Sequence, residues 1–120
     1  MATILPVIDQ LVAPGIVRTV WSNMANGDIG AISDYPGFAD RNFQVSGTFG
    51  AGGEVTMQGS NEPPANDKWF TLSNMADSAL VVTTAGGKMI QENTLYIRPK
   101  ITGGDGTTSL TITLIARKPR

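Results

Sequence analysis

Residues 43–58 (FQVSGTFGAGGEVTMQ) alternate almost without fault. Phe43, Val45, Gly47 and Phe49 fall on one side, and Gln44, Ser46 and Thr48 on the other. After Gly50-Ala51-Gly52-Gly53 the alternation resumes, with Val55 and Met57 opposed to Glu54, Thr56 and Gln58. A strand turns successive side chains to opposite faces, whereas an amphipathic helix repeats its apolar residues three and four apart. The stretch therefore reads as two half-buried strands. The glycine run between them reads as the turn of an antiparallel hairpin over 43–60.

The rest of the chain follows the same grammar. Residues 16–24 (IVRTVWSNM) are rich in β-branched types and carry apolar side chains on both faces, so this strand is expected to be covered by the core and by a partner or arm. Pro6 and Pro14 interrupt the first fifteen residues, leaving an edge strand or an arm laid over a neighbour. Residues 25–42 hold turn signals, including Pro36-Gly37, which suits a type II turn, with Tyr35 and Phe38 as aromatic anchors. The polar loop 59–68 is stiffened by Pro63-Pro64 and leads into short strands at 69–73 and 80–84. Pro99, inside the run 94–102, has no N–H for a ladder and is expected at an edge, a bulge or a strand end. Gly103-Gly104-Asp105-Gly106 reads as a second hairpin turn before a last strand at 109–117. The sum is seven to nine short strands and no helix. The expected fold is all-β: a single-domain antiparallel β-sandwich, jelly-roll-like, with residues 1–15 an N-terminal arm or edge segment and 16–120 the sandwich domain.

A chain of 120 residues can bury a core of its own without staples. Only 16% of residues are charged, against about 25% in an average domain. The net charge of −1 offers no basic stripe for phosphates, so nucleic acid is not an expected partner. There is no apolar run of the ~20 residues that span a bilayer, and the N-terminus lacks the basic region and cleavage site of a secretory signal; no membrane partner is expected.

With neither histidine nor cysteine, Ser-His-Asp triads, Cys-His pairs and histidine- or thiolate-held zinc are excluded. No phosphate loop is present. Paired carboxylates remain as a catalytic device, but the ten acids are scattered through loops and form no recognisable pair. Glu62 and Asp67 could join carbonyls around calcium, without any supporting ligand spacing. The chain is thus expected to be no enzyme and to hold no cofactor or metal. Trp69 heads an apolar strand and is expected in the core, while either face would accept Trp21. Arg98, among apolar residues, is either an outward solvated side chain or one that pairs across strands or across an interface. Arg117, Lys118 and Arg120 form a basic tail, which is either a solubilising end or a docking arm.

Four motifs carry a resemblance: Gln58-Gly59-Ser60-Asn61-Glu62, Asp67-Lys68-Trp69, Tyr96-Ile97-Arg98-Pro99 and Gly103-Gly104-Asp105-Gly106. In this order, over residues 45–117, the chain resembles a family of small virion proteins of tailed bacteriophages. Pro63-Pro64 departs from that pattern, where glycine is commoner. The resemblance implies a capsid decoration (cement) protein, a homo-oligomer with a trimer favoured, seated on the major capsid protein at the exterior of the virion after synthesis in the host cytoplasm. Candidate interface residues are Ile4, Leu5, Val7, Ile8, Trp21, Tyr35, Phe38, Arg98, Arg117 and Lys118. The alternatives are a carbohydrate- or receptor-binding β-module, with Trp21 or Tyr35 stacking on a sugar, and a tail or head–tail connector component.

Overall fold

The computed structural model describes residues 3–4 and 7–118, with side chains from residue 13 onward. The strands are β1 (Thr3–Ile4), β2 (Val7–Ala13), β3 (Ile16–Met24), β4 (Ile29–Gly30), β5 (Asp40–Thr48), β6 (Glu54–Ser60), β7 (Phe70–Thr71), β8 (Val81–Val82), β9 (Gly86–Ile90), β10 (Tyr96–Thr102) and β11 (Ser109–Arg117). One sheet runs β1-β4-β10-β6-β7, with β8 also on β6, and the other runs β2-β3-β11-β5-β9. Every pair is antiparallel except β1 with β4.

The strand order is that of a jelly roll. β3-β11-β5-β9 faces β4-β10-β6-β7/β8, and the chain changes sheet at nearly every connection. β7 and β8 are two pieces of one edge strand, interrupted by an excursion at 73–79. Leu72 donates to the Met57 carbonyl (2.8 Å), and Met57 donates to that of Leu80 (3.1 Å). Eight strand positions thus form the roll, and the N-terminal segment adds β1 and β2 at its margins.

Both glycine turns expected to close hairpins instead cross between sheets. β5 pairs with β11 and β9, while β6 pairs with β10, β7 and β8. Likewise β10 and β11 belong to different sheets. Alternation shows only that each strand has one buried face, and two strands facing each other across a core satisfy it as well as two neighbours in one sheet. The two crossing loops support one another. Ala51 donates to an Asp105 carboxylate oxygen (3.0 Å), Gly104 donates to the Ala51 carbonyl (3.1 Å), and the Thr108 hydroxyl donates to that of Phe49 (2.8 Å). The tight hairpin is elsewhere, at Pro14-Gly15, where Ala13 pairs with Ile16 and Gly15 has φ 78°.

The core lies between the sheets. Trp21, Met24, Phe43, Val45, Ile112 and Leu114 from one sheet meet Val55, Met57, Leu72, Ile97 and Ile101 from the other. Pro99 is not at an edge: it lies in β10, buried, between β4 and β6. Its missing donor is tolerated because of what faces it. Ile97 and Ile101 donate toward the β4 side, to Ser33 and Asp28, so the nitrogen of Pro99 faces that side too. There β4 is only two residues long, and just past its end the carbonyl of Ala31 accepts from the Trp21 indole (2.9 Å). The side chains close tightly here. A Cβ on Gly30 would lie 2.6 Å from Pro99 Cδ and 2.8 Å from Trp21 Cδ1.

Candidate interaction surface

Trp21 is 0% exposed and belongs to the core, so it is no surface contact. The inward parity of β3 places it, and its indole N–H donates to the Ala31 carbonyl. Trp69 departs from expectation in the other direction. It is half-buried and outside the core cluster, and the loop before it is exposed throughout. A sequence signal for this exists. Leu72 is buried and Thr71 exposed, so alternation puts Trp69 with Thr71 on the outer face.

Jelly-roll topology brings the 31–39, 61–69 and 91–95 connections to one end of the sandwich, together with the Pro14-Gly15 turn and the end of β11. The candidates whose side chains are described, other than Trp21, gather toward this end. Arg98 extends from the outer face of β10 and lies under the Trp69 indole, its guanidinium carbon 4.0 Å from the ring centroid. Its Nε donates to the Gln58 side-chain oxygen (2.9 Å), which holds the guanidinium in place. The Asp67 carboxylate stands 3.9 Å away but is 83% exposed, so it contributes little. Burial lowers the pKa of Arg98, partly offset by the charge of Asp67. Asp67 ends a single 3₁₀ turn (Pro64–Asn66) in the left-handed region, with φ 51°. Leu95, 42% exposed, donates its N–H to the Asn61 side chain (3.1 Å), tying two of the loops together.

Tyr35 and Phe38 are half-buried and meet edge to face at 5.9 Å. Phe38 donates to the Tyr35 carbonyl (3.0 Å), closing the Pro36-Gly37 turn. Gly37 lacks the positive φ of a type II turn, so the turn is not of the expected type. Arg41, 3% exposed, fastens this loop from below: Nε donates to the Phe38 carbonyl (3.1 Å) and Nη2 to that of Tyr35 (3.0 Å). Burial lowers the Arg41 pKa. Lys118 places its Nζ 5.5 Å from the Phe38 centroid, and its amide donates to Gly15 (2.9 Å). Arg117 is exposed beside it, opposite Asp40 and Ile16 in the ladders. Sequence reasoning did not single out Arg41. Its sole signal is a charge at an inward position of an alternating strand, in step with Phe43 and Val45.

Leu5 and Arg120 lie outside the described residues. Ile4, Val7 and Ile8 sit on β1 and β2, whose side chains also lie outside them. Among the described residues no three His, Cys, Asp or Glu side chains converge as metal ligands. A depression of about 220 Å³ is walled by residues 81–88 alone. No described helix is long and apolar enough to cross a membrane. The chemistry on offer at the loop-rich end is stacking and hydrogen bonding from two aromatic–cation pairs. No family model, curated protein or solved structure matches the chain.

Proposed function

We propose that this chain is a structural protein of a tailed-phage virion, a capsid decoration protein that reinforces the shell through non-covalent contacts with the major capsid protein. The motif resemblance suggests the class. The observation that carries the reading to particular residues is the gathering of Trp69 on Arg98, and of Phe38 under Lys118, at one end of a jelly roll. Tryptophan, tyrosine and arginine are the types that dominate binding energy at protein interfaces. Aromatic rings held by cations and by Arg41 lose little freedom on docking. Copies of the chain act together as a closed homo-oligomer, so shallow contacts multiply.

Co-sedimentation with empty shells assembled from the major capsid protein tests this. The wild-type protein pellets with shells and raises their melting temperature, and Trp69→Ala with Phe38→Ala abolishes both effects. Failure to pellet, with shells equally heat-resistant in its absence, rejects the reading. A carbohydrate-binding role is the second reading, favoured by the same half-exposed indole beside the exposed Asp67 carboxylate. A glycan array separates the two: hits lost in Trp69→Ala, without shell binding, select the sugar module.

A further inference from the structure

Two cations stand side by side on the outer face of β10. Tyr96, Arg98, Lys100 and Thr102 occupy its outward positions. Arg98 and Lys100 are therefore two residues, or about 6.6 Å, apart. The surroundings of Arg98 fix its guanidinium and leave part of it unused. The Trp69 ring covers one face at 4.0 Å, and Nε donates to Gln58. The side chain is only 18% exposed. Nη2 stands 3.9 Å from the Asp67 carboxylate, beyond hydrogen-bond reach, and Nη1 has no hydrogen-bond partner among the described residues. Lys100 forms no ion pair among the described residues. Glu54, on the neighbouring β6, stands opposite Thr102 and accepts from its hydroxyl (3.5 Å). Lys68, next to Trp69, adds an exposed third cation.

We propose that Arg98 and Lys100 receive an extended acidic segment of a protein partner, and that Asp67 holds the place of the partner's carboxylate at Arg98 in the free chain. The proposal rests on the interface reading above and names the chemistry of the group met there. A guanidinium offers a carboxylate two parallel donors in one plane. With one face stacked and Nε engaged, the Nη1–Nη2 edge is the one left. Its orientation is set before a partner arrives, so little freedom is lost on docking. Acids on alternate residues of an extended segment are also about 6.6 Å apart. A first carboxylate on Arg98 thus brings the second beside Lys100. Asp67 is a weak competitor, because at 83% exposure and 3.9 Å it loses little when displaced. Its backbone, with φ 51°, lies in the left-handed region that asparagine also tolerates, so Asn in its place keeps the turn.

An NMR titration of the full chain tests this. The indole N–H of Trp69 is the readout, and that of Trp21, buried and bonded to Ala31, is the control. An acetylated, amidated pentapeptide with glutamate at its second and fourth positions shifts the Trp69 signal and leaves that of Trp21 unmoved. The same peptide with glutamine in place of glutamate moves neither. Asp67→Asn lowers the peptide concentration at half-saturation by about two- to threefold. Lys100→Gln raises it, and so does Arg98→Lys, which keeps the charge but not the fork. A Trp21 signal at its wild-type position shows that each variant is folded. An unmoved Trp69 signal, an equal response to the glutamine peptide, or an Asp67→Asn variant that binds no tighter overturns the proposal. So does an Arg98→Lys or Lys100→Gln variant that binds as tightly as the wild type. The titration needs no shell, so its failure is distinct from failure of the decoration reading, which the pelleting assay decides.

Discussion

Replacing Trp21 by Phe removes one N–H and part of one ring from the centre of the sandwich. The indole is fully buried, and its N–H serves the Ala31 carbonyl, which lies between β4 and the Ser33–Ile97 bridge on the side of β10 where Pro99 has no donor. Leaving a carbonyl unpaired costs about 1–3 kcal/mol, and the lost ring volume adds about 1 kcal/mol of cavity. The expected loss is ~2–4 kcal/mol, or roughly 10 °C in melting temperature for a domain of this size. A second substitution isolates the hydrogen bond. Pro99→Ala creates an N–H on the side of β10 that faces β4. In the Trp21→Phe background this new donor can take over the orphaned carbonyl. The pair should therefore be less destabilised than the sum of the singles, by about 0.5–1.5 kcal/mol. Loss of neighbouring volume could give the same sign, so hydrogen exchange is the deciding readout. The new amide at position 99 of the double variant should be protected to the level of the Ile97 and Ile101 amides, which bond across the same gap. Free exchange of that amide, or additivity within about 0.3 kcal/mol, refutes the idea that the indole substitutes for a ladder bond.

Gly30→Ala should destabilise by about 1–3 kcal/mol in urea titration, because its Cβ would enter the contact shells of Pro99 and Trp21; a neutral result would mean that β4 can shift outward freely. Glu92 links the two sheets at their edge by accepting from the Ser73 amide (2.8 Å) and hydroxyl (2.5 Å). Burial pushes its carboxyl up, but those hydrogen bonds outweigh it and hold the pKa below the ordinary glutamate value. A lowered carboxylate pKa contributes stability above the unfolded value, and that contribution is lost as pH falls through the folded value. Glu92→Gln should therefore flatten the acid side of the melting-temperature profile, and an unchanged slope would show that the bond contributes nothing. Trp69→Phe should leave a single, fully buried tryptophan, so emission should shift to the blue and resist acrylamide quenching; a red, quenchable residual signal would contradict the core position of Trp21.

Period-two alternation with glycine and proline punctuation was enough to identify an all-β sandwich, because it follows from the geometry of a single strand. It also marked most inward residues, such as Phe43, Val45, Ile97 and Leu110. The choice of neighbour was not legible. The turns at 49–53 and 103–108 look like hairpin turns locally and become sheet crossings only once β11 has claimed β5 and β10 has claimed β6. Trp69, expected in the core, lies outside it, and Trp21, which either face would accept, lies within it. Trp21 is inside by the parity of β3, and its indole N–H finds the Ala31 carbonyl across the core. Trp69 is outside because it shares the outer parity of Thr71, with Leu72 turned into the core. The candidate surface divides likewise. Aromatic and cationic residues could be nominated one by one from the chain. Their gathering at one end arises from long-range pairing that no window of sequence contains.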